Sequence, residues 1–285
     1  MNAVKSSVKI SSSVFQNIYK TPLLKLPNKI SSIKEIPINL TDKIKNIGNS
    51  GFVKLVDCMP RIIPSNCAHL MCDHAIVQAA RVSFNEGIKT PGQDIKLIDF
   101  LIKHKHFSPF RHQHIQVIIK APEFVMRQWY KHVVGIETTS SSYTKDHAWN
   151  EISGRYIPVR EYYQPGVWRK QSDDNKQASE GELNKFQSTS ALLEYGDLMR
   201  KVEETYKRFI DMGMAKEQAR IILPLSQYTL VYWTASFQSV MNFIELRDEP
   251  TAQWEIQEYA KALKEIMYDA FPETTKLWSE TYWEK

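Results

Sequence analysis

Apolar and polar residues alternate along some stretches of the chain and recur at helical spacing along others. Alternation, with a high content of β-branched and aromatic residues, predicts strands at 52–57, 114–121 and 227–236. Apolar residues three or four apart predict helices at 73–83, 93–104, 122–133, 184–212, 215–222, 238–247 and 251–270. No βαβ unit repeats, so this mixture of strands and helices indicates an α+β fold.

Polar stretches interrupt this pattern in two long segments. Residues 135–149 are rich in Thr and Ser, and residues 164–182 carry Pro165, Gly166 and Gly181. Both compositions predict surface loops. A shorter, turn-like break is predicted at 106–110, between a helix and a strand.

The first 50 residues differ from the rest of the chain. Six lysines precede the first acidic residue, Glu35, and Ser, Ile and Asn are abundant. A basic, Ser-rich, acid-poor start is typical of an organelle transit peptide, although this stretch contains no Arg. A disordered tail is the alternative, and both remain open. We expect an N-terminal extension at 1–50 and one domain at 51–285, in the cytoplasm or in mitochondria.

Composition narrows the class of protein. With 285 residues, 42% of them hydrophobic, the chain can bury one sizeable core. A net charge of +5 favours anionic ligands such as phosphates but is too small for a protein that coats nucleic acid. No apolar run approaches the roughly 20 residues that span a bilayer, so neither nucleic acid nor membrane is expected as a partner.

Cysteine and histidine usage gives no sign of a metal site. Cys58, Cys67 and Cys72 match no zinc spacing, and an odd number does not suit a secreted disulfide framework. We therefore expect a reducing, intracellular compartment. Four histidines crowd 104–114 without a matched set of acids or cysteines, so no metal ligands are assigned.

The densest group of candidate ligand-binding residues lies at 124–132. On a helix, Arg127 and Lys131 would share one face, and Gln128 and His132 would share the neighbouring face. Two cations beside an amide and an imidazole could hold a phosphate and contact the polar edge of a ring. A solvated helix face is the simpler alternative, which this helix alone does not exclude.

A Ser-Gly-Arg turn is predicted at 153–155. Ser153 offers a hydroxyl, Gly154 exposes backbone N–H groups, and Arg155 offers a guanidinium. These groups suit a phosphate or the edge of a uracil. Ser153 lies in no Gly-x-Ser-x-Gly motif, and the sequence assigns it no base. We therefore favour a binding role for Ser153 over a covalent one.

A third set of polar residues lies in the apolar C-terminal part of the chain. Gln238 and Asn242 are four apart on a predicted helix, and Arg247 is rotated away from their face. Arg220 and Ser236 precede them. Buried amides and guanidinium groups are costly unless they are satisfied, so this set either meets a ligand or pairs within the structure.

Seven short blocks occur in order along the chain: Ala-Ala-Arg-Val-Ser-Phe at 79–84, His-Phe-Ser-Pro-Phe at 106–110, Ala-Pro-x-Phe-Val-x-Arg-Gln-Trp at 121–129, Asn-Glu-x-Ser-Gly-Arg-Tyr at 150–156, Ala-Arg-x-x-Leu-Pro at 219–224, Met-Asn-Phe-x-x-Leu-Arg at 241–247 and Ala-Gln-Trp-Glu-Ile at 252–256. In these blocks the chain closely resembles the flavin-dependent thymidylate synthases, the ThyX family, from about Phe52 to about Phe271. Chance similarity does not produce so many blocks in one order.

The resemblance implies an antiparallel sheet flanked by helices and a homotetramer with active sites between subunits. It implies methylation of dUMP to dTMP, with carbon from 5,10-methylenetetrahydrofolate and hydride from FAD that NADPH has reduced. The expected dUMP-binding residues are Gln128, Lys131, Glu151, Ser153, Gly154, Arg155, Arg220 and Arg247. The expected FAD and folate side consists of Ser83, His106, Ser108, His132, Ser236, Gln238 and Asn242. Arg155, Ser153 and Arg247 are the expected catalytic residues, and Arg155 would polarise the uracil edge.

The chain departs from the family hallmark, which is Arg-His-Arg, then seven intervening residues, then Ser. Here the triplet is Lys131-His132-Val133, and about twelve extra residues near 135–148 separate it from Ser153. Lys keeps the charge but loses the bidentate fork of Arg. The loss of a cation at Val133 motivates one alternative: a catalytically inactive relative that still binds nucleotide or flavin.

Other departures also fall on the expected flavin side. Gln238 stands where the family commonly has Arg, Ser236 where it has Asn, and Arg111 where it often has Glu. The expected dUMP set is largely intact. Lys145 or His147, in the extra segment, is hypothesised to replace the lost cation.

Overall fold

The computed structural model describes residues 33–35, 44–84, 86–132, 147–157 and 161–283. Its strands are β1 (Ile33–Glu35), β2 (Ile44–Ile47), β3 (Gly51–Met59), β4 (Ile62–Pro64), β5 (His114–Pro122), β6 (His147–Glu151), β7 (Arg169–Gln171), β8 (Ser179–Glu182) and β9 (Tyr228–Ser236). Five of them form one antiparallel sheet in the order β2-β3-β5-β9-β6. β1 pairs with β4, and β7 with β8, in small antiparallel ribbons.

The helices are α1 (His74–Arg81), α2 (Pro91–Lys103), α3 (Glu123–Trp129), α4 (Lys185–Asp211), α5 (Lys216–Ala219), α6 (Phe237–Arg247), α7 (Trp254–Ala270) and α8 (Pro272–Tyr282). A 3₁₀ turn at Ser108–Arg111 occupies the predicted break. The predicted strands at 52–57, 114–121 and 227–236 are confirmed as β3, β5 and β9. The predicted α+β fold with an antiparallel sheet and flanking helices is also confirmed, whereas α8 was not predicted.

The core lies on one face of the sheet. Along β5, Ile115, Val117 and Ile119 are buried, because side chains two apart point to the same face. Helix α7 packs against β2 and β3. At the other end of the sheet, Trp129 of α3 stacks on Phe243 of α6 with ring centroids 4.2 Å apart. This packing fixes α3 beside α6, where candidate ligand-binding residues lie.

Two predicted loops are partly strands. β6 begins at His147 and pairs with β9, so the predicted loop at 135–149 is wrong over its last residues. Trp149 stacks on Trp233 at 5.0 Å, which gives this polar segment an apolar attachment to the core. Within 164–182, β7 and β8 form a ribbon that Arg169 joins to the buried Glu255. Tertiary contacts therefore order a segment whose composition predicted a loop.

The sheet begins before the expected domain start at residue 51, because β2 pairs with β3. The predicted extension otherwise lies mostly outside the described residues, as do Val133 and Lys145. Among the residues that are described, no helix is both long enough and apolar enough to cross a membrane.

Candidate functional site

Helix α3 ends sooner than predicted, and its end decides where the following residues lie. The helix stops at Trp129; the backbone N–H of Lys131 then donates to Gln128 O at 3.3 Å, and that of His132 to Trp129 O at 2.9 Å. These are three-residue turns, in which side chains no longer follow the α-helical repeat. The prediction of shared helix faces for Arg127 with Lys131, and for Gln128 with His132, is therefore wrong.

His132 instead contacts the end of α6. Arg247 donates from Nε to Nε2 of His132 at 2.7 Å, and Phe243 meets the imidazole edge-on at 5.1 Å between ring centroids. Burial, and secondly the charge of Arg247, lower the pKa of His132 to about 4. The imidazole is therefore neutral at pH 7. Because its Nε2 accepts a hydrogen bond, its proton lies on Nδ1.

The Arg247 guanidinium is half-buried and keeps donors free. Burial lowers its pKa, but an arginine remains charged near neutrality. Its Nε is occupied by His132, whereas Nη1 and Nη2 have no hydrogen-bond partner within the described residues. Two terminal nitrogens in a fixed plane can hold a phosphate or a carboxylate by paired hydrogen bonds.

A second polar region lies on another side of α3. A cavity of about 290 Å³ is lined by residues that include Arg127, Glu151, Gly154 and Arg220, here called the Arg220 cavity. Glu151 accepts a hydrogen bond from Thr229 Oγ1 at 2.6 Å. Burial, and then the negative charge of Glu151, raise the pKa of Glu123 in the same wall. The cavity thus combines two guanidinium groups with two carboxyl groups.

The predicted Ser-Gly-Arg turn is present beside this cavity. The backbone N–H of Tyr156 donates to Ser153 O at 3.0 Å, and that of Arg155 donates to Ser153 Oγ at 3.3 Å. Arg155 is exposed and lies 3.6 Å from Glu217, a solvent-screened pair of little energetic weight. The Arg155 guanidinium is therefore available to a ligand.

On the expected flavin side, the start of α6 carries an unpaired amide. Ser236 Oγ accepts from the backbone N–H of Ser239 at 3.2 Å and so caps the helix. Gln238 is only 7% exposed, and its amide makes no hydrogen bond to any described residue. Neither polar atom of this amide is completely enclosed without a partner, so both remain accessible to a polar ligand. Asn242 follows four residues later on the same helix, as predicted.

The remaining residues expected on the flavin side occupy neighbouring elements. The 3₁₀ turn that begins at Ser108 packs against both α1 and α6, and Ser83 lies in the short 3₁₀ turn Val82–Phe84 that follows α1. Ser83, His106 and Ser108 are all exposed. The 3₁₀ turn packs on the start of α6 through Phe110 and Phe237, whose ring centroids are 6.0 Å apart, so Ser108 belongs to an element next to α6.

The histidine-rich stretch is explained by local structure. His104 stacks on Phe100 at 4.0 Å, and its Nδ1 lies 2.9 Å from Phe100 O. Within the described part of the chain, no three His, Cys, Asp or Glu side chains converge as a metal ion would require. Cys58, Cys67 and Cys72 are buried and free.

The expected nucleotide-binding residues thus fall into two groups. Arg247 and its partner His132 form one, here called the Arg247 group, and the residues of the Arg220 cavity form the other; the Gln128 side chain contacts Gln253 and belongs to neither. Over the ranges that the structure describes, no hydrogen bond or ion pair links the two groups. Arg155 and Arg247 are not brought into contact within one chain.

Gln253 and Glu255 had no predicted role in the site. Gln128 Nε2 donates to Gln253 Oε1 at 2.6 Å, and Gln253 Nε2 donates to Glu255 Oε2 at 2.9 Å. Both belong to the Ala-Gln-Trp-Glu-Ile block. A signal was present in the sequence, because Glu255 is four residues before Tyr259 and eight before Leu263. An acidic residue on an otherwise apolar helix face is costly to bury unless it is paired.

Free guanidinium and amide groups at the ends of helices, beside an antiparallel sheet, give this α+β domain the groups that suit an anionic ligand with polar ring edges. Comparison with known proteins gives the particular family. The family model described as "Thymidylate synthase complementing protein" matches residues 68–273. A protein from Thermus thermophilus named flavin-dependent thymidylate synthase is 42% identical over 229 residues, which cover 79% of this chain and 74% of that protein. A relative of the same name from Thermosipho africanus is 38% identical, covering 79% and 90%.

This chain belongs to the flavin-dependent thymidylate synthase family, a family of methyltransferases, as the ordered blocks predicted. A solved structure agrees: the UMP/dUMP methylase PolB from Streptomyces cacaoi, bound with 5-Br dUMP, has a TM-score of 0.65 and 25% identity. The likeness covers 83% of this chain and 97% of that one.

Proposed function

We propose that this chain converts dUMP to dTMP in dTMP biosynthesis, with 5,10-methylenetetrahydrofolate as carbon donor and NADPH-reduced FAD as hydride source. The observation that carries the proposal is the Arg247 group, in which a neutral imidazole orients a guanidinium whose terminal nitrogens are unpaired. Family membership supports the choice of ligand, as does the structural neighbour bound with 5-Br dUMP.

In this proposal the nucleotide is held by cations and amides from both groups. Arg247 contacts the 5′-phosphate through its terminal nitrogens, and Arg220 and Lys131 add positive charge around the nucleotide. Gln128, Glu151, Ser153 and Gly154 contact the sugar and the base. Arg155 polarises the uracil edge and so favours the charge that builds up when C5 attacks carbon. No nucleophilic side chain is needed, which agrees with the burial of all three cysteines.

The flavin side is assigned to the start of α6 and its neighbours. The unpaired amide of Gln238 fits a polar ring edge or a phosphate, and Ser236, Asn242, Ser83, His106 and Ser108 complete the set with His132. When bound, FAD supplies the hydride; the protein supplies orientation and electrostatics. Because His132 is neutral, it presents an Nδ1–H donor without adding a second full charge beside Arg247.

We further propose that each site is shared between subunits of a homotetramer. The Arg247 group and the Arg220 cavity are not joined within one chain, so residues of two copies would complete each other. Helix α4 exposes Phe186, Leu193 and Leu198, with exposed fractions of 84%, 66% and 55%. Apolar residues exposed along one helix are typical of a protein–protein contact.

An absorbance spectrum of the purified full chain tests the proposal. We expect flavin bands that bleach with NADPH when dUMP is present, followed by formation of dTMP when methylenetetrahydrofolate is added, detected by mass spectrometry. Binding of flavin and dUMP without dTMP would identify an inactive relative instead. Absence of flavin and dUMP binding would refute the assignment of the site.

The cation missing at Val133 has its own test. If Lys145 or His147 replaces it, Lys145→Ala or His147→Ala weakens FAD binding. Unchanged FAD affinity in both variants would reject the replacement. Location in the cytoplasm or in mitochondria remains a prediction from the N-terminal composition.

A further inference from the structure

A chain of hydrogen bonds leads from the β7–β8 ribbon to Gln128. Arg169 Nη2 and Tyr163 Oη both donate to Glu255 Oε1, at 2.6 and 3.1 Å. The other oxygen, Oε2, accepts from Gln253 Nε2 at 2.9 Å, and Gln253 Oε1 accepts from Gln128 Nε2 at 2.6 Å. The side chains of Arg169, Glu255, Gln253 and Gln128 therefore form one continuous series, here called the relay.

The direction of the hydrogen bonds along the relay is fixed by the carboxylate of Glu255. Glu255 is 95% buried, being 5% exposed. Burial opposes its charge, but the hydrogen bond from Arg169 and the other donors outweigh burial, so the pKa of Glu255 lies below its usual value. An ionised carboxylate only accepts hydrogen bonds. Gln253 must therefore turn its NH₂ group toward Glu255 and its carbonyl oxygen toward Gln128.

The orientation of the Gln253 amide in turn fixes that of the Gln128 amide. Its NH₂ group faces Gln253 Oε1 and also Phe124 O, the latter at 3.4 Å. Both N–H bonds are thus engaged within the protein. Its Oε1 has no partner among the described residues and is the atom left for a ligand. The end of the relay is therefore a hydrogen-bond acceptor on α3, at a residue expected to bind the nucleotide.

We infer that Glu255 is a positioning residue that makes Gln128 a hydrogen-bond acceptor toward the nucleotide. This inference rests on the proposed function and adds the direction of one hydrogen bond, in which Gln128 accepts and the nucleotide donates. Arg169 of the ribbon pairs with Glu255, and Gln253 connects Glu255 to Gln128. The matching donor on dUMP is an N–H or O–H group, either the imide N3–H of the base or the 3′-hydroxyl of the sugar.

The substitution Glu255→Gln reverses the relay without changing its shape. Arg169 and Tyr163 both donate, so they retain the oxygen of the new amide and leave its NH₂ group facing Gln253. Gln253 then turns its oxygen toward that group and its NH₂ toward Gln128. Gln128 in turn gives up its long, 3.4 Å bond to Phe124 O and exposes an NH₂ group, which cannot accept from the nucleotide.

A double-mutant cycle on the dUMP dissociation constant, measured by calorimetry on the full chain with FAD, tests the inference. We expect Glu255→Gln to weaken dUMP binding about three- to tenfold, the range of one neutral hydrogen bond. In a Gln128→Ala background the same substitution should have no further effect. The matched control is Glu258→Gln on the same helix, whose carboxylate pairs with Lys261 at the surface and which should bind dUMP like the wild type.

Each other outcome overturns the inference. An equal loss with and without Gln128 would mean that Glu255 acts through the fold, and no loss would mean that the relay does not set polarity. If the wild type itself failed to bind dUMP, the proposed function would fall together with the inference. Unchanged binding in Glu255→Gln beside a tight-binding wild type would remove the inference alone.

Two analogues of dUMP show whether the base N3–H or the sugar 3′-hydroxyl is the donor to Gln128. With 3-methyl-dUMP the base has no imide N–H, and with 2′,3′-dideoxyuridine 5′-monophosphate the sugar has no hydroxyl. The Glu255→Gln penalty should vanish with one of them, which identifies the donor. A penalty that persists with both would show that Gln128 Oε1 does not accept from the nucleotide, contrary to the inference.

Discussion

Replacing Arg247 with Met tests the Arg247 group most directly. Met keeps an apolar stem of similar length but removes both the bond from Nε to His132 and the free terminal nitrogens. A hydrogen bond to a charged group contributes about 1.5–3 kcal/mol, and about 1.4 kcal/mol corresponds to a tenfold change in affinity. Loss of one phosphate bond therefore predicts dUMP binding weaker by about tenfold to a hundredfold.

The same variant should change the titration of His132. Burial is the larger cause of its low pKa, and the charge of Arg247 is the second. In Arg247→Met, the pKa of His132 should therefore rise from about 4 but stay below the ordinary 6.5. Calorimetry with dUMP and NMR titration of the imidazole measure the two effects separately.

An exposed cation on another helix provides the control. Lys261 pairs with Glu258 on the surface of α7, so Lys261→Met removes one positive charge at a residue with no assigned ligand or subunit contact and should leave dUMP affinity unchanged. Wild-type dUMP affinity in Arg247→Met would refute the phosphate assignment. An unmoved pKa of His132 would refute the electrostatic coupling.

Three further predictions concern packing, chemistry and pH. Gly51→Ala should lower the free energy of unfolding by about 2–4 kcal/mol in urea titrations. A Cβ at this position would overlap Tyr259 Oη, which donates to Lys120 O at 2.8 Å. As a control, Gly196→Ala on an open helix surface should be neutral or stabilising. Ser153→Ala should retain part of the turnover, and complete loss of turnover with normal dUMP affinity would reinstate a nucleophile. The folded pKa of His132 is below its unfolded value of 6.5, so its contribution to stability is complete above pH 6.5 and is lost as pH falls toward 4. Between pH 7.5 and 5, the unfolding free energy of His132→Asn should therefore drop less than that of the wild type. An equal drop would contradict the assignment.

The main secondary structure could be predicted because its physical cause is local. Strand β5 alternates buried and half-buried side chains along its length, and α7 repeats its apolar residues at helical spacing. Those periods are visible in any sequence whose elements bury one face. The ribbon at 169–182 escaped prediction because its anchor, the bond from Arg169 to Glu255, joins residues far apart in the chain.

The candidate site likewise combines features that the sequence predicts with features that depend on tertiary contacts. The sequence by itself determined the family, the α+β class and the inventory of cations, amides and hydroxyls, because ordered blocks and residue types need no coordinates. Only the tertiary structure decided that His132 leaves the helix to contact Arg247, that Gln238 at the start of α6 is almost covered, and that Gln253 connects Glu255 to Gln128. Hydrogen-bond direction and burial depend on which side chains meet in space, and spacing along the chain does not contain that information once a helix ends or a segment folds back.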